Sequence, residues 1–429
     1  MKISFKSVIG TAALLLLVSC SETYTVEELR TAEILQILSS DDLKGRHALS
    51  PEIKLAEQFI YKEFESAGLE PVSGDTYLQN FTLSESNIKS STVMIGRNVI
   101  DENQFIAFTV DDFFATNSNE TQVLTISQNE NFRSKFNELR ELDSNAIVLV
   151  DPSFNELFDR YRAYYSREHR FLEQNLKGNI VFILSDIDVD NISVEITSTI
   201  EEKPLANVVG KIEGKRTSEF VIFSAHHDHI GVRTSVGADS IANGANDNGS
   251  GVTAVIQLAN HFASKPKPER TLLFVTFTAE EFGGYGSDYF SQQLNPDEII
   301  AMFNIEMIGK PALSGPNTAW ITGYDRSTFG ELLSKSTEGT IYEFYADPYP
   351  NQNLFYRSDN ATLARLGVPA HSISTTPIDV DTDYHQVSDE FDTINISHLN
   401  NTIKAIAKGA EGIISGEQTP TRVDVSQLD

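Results

Sequence analysis

The stretch FVIFSAHHDHIG, residues 220–231, carries the pattern that decides the fold. Its apolar first half ends at Ala225, and the polar residue His226 follows directly. Such a short apolar run is typical of a strand that is buried on both faces of a sheet. Residues 272–277 and 302–306 repeat this pattern, and glutamates follow or end each run. The sequence therefore predicts an α/β fold with a mostly parallel central sheet flanked by helices.

Helical spacing is found between and around these predicted strands. The apolar residues of segment 251–264 fall on one helical face, and a closing helix is predicted over residues 399–413. Near the N-terminus, residues 56–67 repeat apolar side chains at helical spacing, and Gly68 supplies a stop. Alternation of strands with helices is what an α/β domain with a parallel sheet requires.

The chain is predicted to divide into five segments along its length. They are a lipoprotein signal peptide (1–19), an N-terminal helical part of the main domain (20–90), an inserted, mainly β domain (91–200), the main domain with the site (201–416) and a flexible tail (417–429). The insert is the least readable segment, because only short β-like runs such as 146–150 and 179–184 stand out. The alternative, that it continues the main domain, stays open.

Cys20 is the single cysteine among 429 residues. The apolar run at residues 8–18 before it is too short for a permanent transmembrane helix. The sequence Leu-Val-Ser-Cys at residues 17–20 resembles a bacterial lipobox, so we expect Cys20 to be lipidated; the alternative is a buried free cysteine. The predicted location is extracytoplasmic on a bacterial membrane, with the outer membrane favoured because Ser21 is not the aspartate of inner-membrane retention.

A lone cysteine and a strong negative charge exclude several kinds of site. Disulfides and thiolate metal sites are excluded, so any metal must be held by His, Asp and Glu. The net charge of -28, from 33 basic and 61 acidic residues, argues against nucleic acid as a partner. The sequence leaves the oligomeric state open.

Polar residues at the predicted strand ends indicate a metal site. Because ligands bind at the carboxyl ends of strands in open α/β sheets, His226, Glu280, Glu281 and Glu306 are expected to share one crevice. Of the adjacent glutamates, one can bind a cation while the other takes a proton from water. The alternative for that pair is a solvated helix N-terminus. This combination is what a metal-dependent hydrolase needs.

The residues around His226 have different predicted roles. Asp228 is expected to accept the second ring N–H of His226 and so to fix its tautomer. His227 should face the opposite side of the strand and is not predicted as a ligand. His229 is considered as an additional ligand.

Two further segments are weaker candidates when each is taken alone. Asp247 lies in the glycine-rich segment 244–251, which could equally be a plain turn. His385 follows Tyr384, whose phenol could donate a hydrogen bond to a developing oxyanion; the alternative is an ordinary loop.

In this order and spacing, the segments resemble the co-catalytic di-zinc aminopeptidases, the twenty-eighth metallopeptidase family. That family includes leucyl aminopeptidases, aminopeptidase Y, glutamate carboxypeptidases and transferrin-receptor-like proteins. The resemblance covers residues 30–85 and 205–415. Its motifs are a His-x-Asp, an aspartate in an Asp-Asn-x-Ser-Gly loop, Glu-Glu-x-Gly-x-x-Gly-Ser, an acidic residue at a Met-containing strand end, and a late histidine.

The resemblance implies two zinc ions per chain and a role for each matching residue. His226 and Glu306 would bind one zinc, Glu281 and His385 the other, and Asp247 would bridge both. It further implies that Glu280 is the general base for a metal-bridging hydroxide, with Asp228 and Tyr384 as the orienting and polarising residues. By position alone, the insert 91–200 would correspond to a protease-associated domain.

The activity implied by the resemblance is that of a zinc-dependent exopeptidase, and an aminopeptidase that removes N-terminal residues from peptides is favoured. A carboxypeptidase or dipeptidase on the same scaffold is an alternative. A receptor-like binding protein is a second alternative, although it should have lost ligands. A single-zinc glutaminyl cyclase is less favoured because all five ligand positions are filled.

Overall fold

The computed structural model describes residues 25–165, 169–172, 177–187 and 190–427. Cys20 and the predicted signal peptide lie outside the described residues, so the lipid anchor stays a prediction. Within the described ranges, no helix combines the length and the apolar character needed to cross a bilayer.

Most of the α-helices flank a large sheet. In the described residues they are α1 (Glu28–Leu38), α2 (Ile53–Ala67), α3 (Phe132–Arg140), α4 (Asn155–Tyr165), α5 (Gly251–Ala263), α6 (Tyr285–Ser291), α7 (Phe329–Ser336), α8 (Asn360–Ala364) and α9 (Ile396–Ile414). The helices predicted at residues 56–67, 251–264 and 399–413 are α2, α5 and α9. Gly68 ends α2 as predicted, because its φ of 76° is a left-handed conformation that glycine adopts without strain.

The strands form two main sheets and one small hairpin. In chain order they are β1 (Glu70–Pro71), β2 (Leu78–Ile95), β3 (Asn98–Val99), β4 (Phe105–Phe108), β5 (Phe113–Asn117), β6 (Gln122–Ile126), β7 (Ala146–Val150), β8 (His169–Leu172), β9 (Ile180–Leu184), β10 (Ile192–Ile212), β11 (Arg216–His226), β12 (Gly231–Val236), β13 (Asp239–Ala242), β14 (Arg270–Phe277), β15 (Ile299–Ile305), β16 (Thr318–Ile321), β17 (Glu343–Ala346) and β18 (Ala370–Ser374).

The large sheet has the order β17-β16-β18-β15-β11-β14-β10-β2-β3. Its centre, β18-β15-β11-β14, is parallel, as predicted. Antiparallel pairs flank this centre, where β16 meets β18 and β10 meets β14 and β2. The predicted α/β class is confirmed, and the outer strands make the sheet mixed.

Both faces of the parallel centre are buried, which explains the continuous apolar runs in the sequence. On one face, Phe223 stacks on Phe274 and Phe303 beneath α1, α2, α5, α7 and α9. On the other face, Ile222 belongs to a second core that includes Phe290 of α6 and residues of α8. Because helices cover both faces, the carboxyl end of the sheet is the place where polar side chains gather.

The predicted insert, residues 91–200, contains a second sheet of order β4-β9-β7-β6. Helices α3 and α4 pack on this sheet, and the sequence had not indicated them. The predicted boundaries at residues 91 and 200 fall inside the long strands β2 and β10, which run through both parts of the molecule. Since these strands pair antiparallel along their length, the insert is an outgrowth of the large sheet. The domain boundaries themselves stay a prediction.

Candidate metal centre

Three central strands end at the site, in the arrangement that the sequence predicted. His226 is the last residue of β11 and is fully buried. Glu280 and Glu281 follow β14 after a short turn, and Glu306 follows β15 directly. These strands are neighbours in the parallel centre, so their carboxyl ends place the four side chains in one crevice.

The glycine-rich segment brings Asp247 into the same crevice. The main-chain N–H of Asp247 donates to the carboxylate of Asp389 at 2.9 Å, and the Asn246 N–H does the same. Gly244 opens the turn with a φ of 59°. A side chain on Gly244 would collide with the main-chain oxygen of Asp247, so glycine is required there. The turn then leads into α5, whose packing against the sheet fixes its position.

The first group of candidate ligand atoms comes from three strand and loop ends. His226 Nε2 lies 3.3 Å from Asp247 Oδ1 and 3.3 Å from Glu306 Oε1. The other oxygen of Glu306 accepts hydrogen bonds from Ser358 Oγ at 2.8 Å and Asn248 Nδ2 at 3.2 Å. Glu306 is therefore held with one oxygen toward the group and the other turned away from it.

The second group shares Asp247 with the first. His385 Nε2 lies 3.3 Å from Asp247 Oδ2 and 3.0 Å from Glu281 Oε2. His229 lies behind this group, with Nδ1 2.6 Å from Glu281 Oε1. The two oxygens of Asp247 thus face different histidines, which is the geometry of a bridging carboxylate.

Asp228 holds His226 as predicted, but it does so through its main-chain oxygen and not through its carboxylate. His226 Nδ1 donates to the main-chain oxygen of Asp228 at 3.0 Å, whereas the Asp228 carboxylate is 3.9 Å from that nitrogen. The carboxylate accepts the main-chain N–H groups of Glu280 at 3.1 Å and Glu281 at 3.4 Å. Asp228 therefore fixes His226 through its backbone and the glutamate pair through its side chain.

Glu280 lies next to both groups without belonging to either. Its Oε2 is 4.0 Å from His226 Nε2. Burial, together with the carboxylates of Asp359, Glu306 and Glu281, raises its pKa well above the ordinary value, against the lowering effect of His226. A carboxylate in such an environment is a stronger base than one in water.

Tyr384 and His385 lie at the mouth of the crevice. Their rings stack with centroids 4.0 Å apart. Burial and the carboxylates of Asp247 and Glu281 raise the pKa of Tyr384, so its phenol keeps its proton. Although burial alone would lower it, the contacts with Asp247 and Glu281 raise the pKa of His385 to about 10. The site therefore favours positive charge.

Two residues that the sequence analysis did not single out support this geometry. Arg46 is buried and donates to the main-chain oxygens of His227, Asn243 and Gly244 at 2.6–2.9 Å. Asp389, which holds the Asp247 turn, lies in the same late segment as His385 and could have been noticed there. Nothing in the sequence around Arg46 distinguishes it from an ordinary surface arginine.

The donor set fits zinc on the chemistry of its atoms. Possible ligand atoms of His226, Asp247 and Glu306 lie within 4.8 Å of one another, and so do atoms of His229, Asp247 and Glu281. Nitrogen and oxygen atoms are ligands that Zn²⁺ accepts. The buried carboxylates also need cations, because unpaired charge in a protein interior is costly.

A cavity of about 580 Å³, a volume that includes its open mouth, adjoins the first group. Glu280, His226 and Tyr384 line one side of this cavity. Apolar side chains line much of the remainder, namely those of Met307, Trp320, Leu354 and Ile378. The exposed residue Arg357 also lines it. A ligand in the cavity would contact apolar groups and the candidate metal positions together.

Comparison with known proteins gives one family match. Residues 207–410 match the sequence pattern of "Peptidase family M28". The chain is 26% identical over 285 residues to "Probable leucine aminopeptidase 2" of Arthroderma benhamiae and to "Leucine aminopeptidase 2" of Trichophyton rubrum. Each match covers 60% of this chain and 54% of the relative, so the chain spans about half the length of these relatives.

Solved structures show a similar fold over almost the whole chain. The aminopeptidase from Aneurinibacillus sp. strain AM-1 has a TM-score of 0.53 at 20% identity, covering 94% of this chain and 97% of its own. A zinc aminopeptidase from Bacillus subtilis has a TM-score of 0.55 at 13% identity, covering 92% and 97%. At these identities the likeness concerns the fold.

Proposed function

This chain carries a peptidase family M28 domain over residues 207–410, and on that premise we propose that it is a zinc-dependent aminopeptidase with two metal positions. The observation that carries the proposal is Asp247, whose two oxygens face different histidines. A shared carboxylate is what a two-metal hydrolase needs to hold its ions about 3.5–4 Å apart. The leucine aminopeptidase names of the relatives support the reaction, and the zinc aminopeptidase of B. subtilis supports the metal.

His226, Glu306, Glu281 and His385 would hold the two ions together with Asp247. When bound, the ions would polarise the peptide carbonyl and lower the pKa of a nearby water toward neutrality. Glu280 lies beside His226 of the first group and is not itself a proposed ligand, so it would take the proton of the attacking water and return it to the leaving amine. Tyr384 keeps its phenol proton and would donate it in a hydrogen bond to the carbonyl oxygen as negative charge develops.

The charge and shape of the cavity favour a free N-terminal residue as the group that is bound. The carboxylates of Asp247, Glu280 and Glu306 line the cavity, and their oxygens could accept hydrogen bonds from a free α-amine. The apolar walls formed by Trp320, Leu354 and Ile378 favour an apolar first side chain. We therefore expect leucyl or phenylalanyl substrates to be cleaved better than aspartyl or glutamyl ones.

A substrate panel tests this proposal directly. Leucyl and glutamyl peptides, their N-acetylated forms and their C-terminally amidated forms are compared with and without a chelator. We expect at least about 100-fold slower cleavage of N-acetylated peptides, because the ammonium is lost, and no cleavage after chelation. Equal cleavage of acetylated peptides, or full activity in the chelator, would contradict the aminopeptidase proposal.

A carboxypeptidase or dipeptidase activity is the second candidate, and Arg357 is the observation that favours it. This arginine lines the same cavity and is exposed, so it could pair with the carboxylate of a short substrate. The amidated peptides of the panel distinguish the two reactions. Loss of cleavage on amidation would favour the second candidate, whereas retained cleavage supports the aminopeptidase.

A receptor-like binding protein without catalytic activity is the remaining alternative. The presence of Glu280 in addition to both groups of ligand atoms argues against it, because a binding protein has no use for a general base. Metal analysis separates the two functions, since a receptor that has lost catalysis need not retain two ions per chain.

We further propose that Cys20 carries a lipid that holds the protein on the extracytoplasmic side of a bacterial membrane. Changing Cys20 to alanine should move the protein from the membrane fraction to the soluble fraction, because the lipid would have no attachment point. Changing the neighbouring Ser21 to alanine is the matched control and should leave the distribution unchanged. Sedimentation of washed membranes measures the effect, and a Cys20→Ala protein that still sediments with them would contradict the anchor.

A further inference from the structure

His229 is a buried residue of the loop after β11, and its role is distinct from that of the proposed ligands. We propose that His229 is a positioning residue for the second metal position: it donates its Nδ1–H to Glu281 Oε1 and so aims Glu281 Oε2 at the cation. This inference rests on the proposed function, because it assigns a task toward the proposed metal. It also revises the sequence-based possibility that His229 is itself a ligand.

The distances separate ligands from positioning groups. Two ligands of one tetrahedral zinc, with bonds of about 2.0–2.1 Å, lie about 3.3 Å from each other. The histidine–carboxylate contacts of His226 and His385 within the two groups measure between 3.0 and 3.3 Å, as expected for atoms around one cation. The contact between His229 Nδ1 and Glu281 Oε1 is 2.6 Å. That length is too short for two ligands of one ion, and it is the length of a short hydrogen bond.

In the contact between His229 and Glu281, the ring nitrogen Nδ1 is the donor. An ionised carboxylate only accepts hydrogen bonds, so the proton of this contact is on Nδ1 of the ring. Nε2 is buried and has no hydrogen-bond partner among the described residues. The proton on Nδ1 is therefore directed at Glu281. A nitrogen that carries this proton has no lone pair to offer to a metal.

The ring of His229 is fixed in place by the segment that carries Asp247. A Cβ atom on Gly244 would lie 2.5–2.6 Å from the His229 ring, so this loop closes directly over the imidazole. The main-chain N–H of His229 donates to the main-chain oxygen of Arg46 at 3.2 Å, which holds the backbone. These contacts hold His229 where its Nδ1 faces Glu281.

The two metal-facing glutamates are held in the same way. Glu306 turns one oxygen toward His226, while its other oxygen accepts from Ser358 and Asn248. Glu281 turns Oε2 toward His385, while its Oε1 accepts from His229. Residues that orient a ligating carboxylate commonly contribute 10- to 100-fold to metal affinity.

Two amide variants at position 229 test the inference through metal binding. In His229→Asn the amide nitrogen lies where ring Nδ1 was, so a donor to Glu281 remains. In His229→Gln the amide nitrogen lies where ring Nε2 was, so the donor to Glu281 is lost. Both side chains are polar, so their effects on folding are comparable. We expect His229→Gln to weaken one of the two Zn²⁺ affinities by about 10- to 100-fold and to leave the other unchanged. His229→Asn should stay within about threefold of the wild type.

The measurement is competition between the protein and a chelator of known zinc affinity, with bound metal counted at each step. His398→Asn is the matched control, because His398 is a buried histidine whose ring nitrogens have no hydrogen-bond partner within the described part of the chain. Absorption of the Co²⁺-saturated protein adds a second readout. Since no ligand is lost, His229→Gln should keep the wild-type spectrum at saturation.

The outcomes separate this inference from the function on which it rests. Unchanged affinities in His229→Gln, equal losses in the Asn and Gln variants, or an altered Co²⁺ spectrum at saturation would each overturn the positioning role. A wild-type protein that binds no metal would overturn the proposed function itself.

Discussion

Changing Glu280 to glutamine should leave two metal ions bound and lower kcat by about 10²- to 10⁴-fold, the range expected for loss of a general base. Glutamine keeps the size of the side chain but cannot accept the proton of the attacking water. Glu280 belongs to neither group of ligand atoms, and its closest approach to His226 Nε2 is 4.0 Å. Steady-state kinetics on a leucyl peptide, combined with metal analysis of the same sample, measures both effects.

Glu331, an exposed residue of α7, offers a matched control for this change. The Glu331→Gln variant should have the kcat and metal content of the wild type. A wild-type kcat in the Glu280→Gln enzyme would contradict the assignment of Glu280 as the general base. Loss of metal from that variant would instead place Glu280 among the ligands.

Changing Asp247 to asparagine should reduce the metal content to at most one ion per chain and abolish measurable activity. The reason is geometric, because Oδ1 faces His226 and Oδ2 faces His385, and an amide leaves a single oxygen for both positions. The amide nitrogen carries its protons and cannot replace the lost ligand. Metal analysis after gel filtration, together with assays at added zinc, tests this expectation.

The exposed Asp325 is the control for this variant, since Asp325→Asn removes one negative charge from a residue that belongs to neither group of ligand atoms. That variant should keep both ions and full activity. An Asp247→Asn protein that retains two ions would show that Asp247 does not bridge the two positions.

The strand-end residues of the site were predictable from the pattern of the sequence, whereas the loop residues could not be placed from the pattern alone. His226, Glu280 and Glu306 follow apolar runs, and parallel strands bring their carboxyl ends to one edge. Asp247 and His385 lie in loops, where spacing alone does not fix the direction of a side chain. They could be assigned only through the resemblance to a family.

Two contacts of the site were missed because they are made by main-chain atoms, which a sequence pattern does not show. Asp228 was expected to hold His226 through its carboxylate, but its main-chain oxygen does so. Arg46 donates to main-chain oxygens. Every residue has such an oxygen, so the sequence does not indicate which residues Arg46 contacts. The predicted insert was hard to read for a different reason: the part of β10 inside it alternates between buried and more exposed residues, so it lacks a continuous apolar run.

Metal analysis of the purified wild-type protein tests the central claim most directly. The protein is prepared in metal-free buffer, supplied with zinc, passed through a desalting column and analysed for metal per chain. Two groups of ligand atoms that share Asp247, one with His226 and the other with His385, predict two zinc ions per chain. A content of one ion or none would contradict the two-metal site.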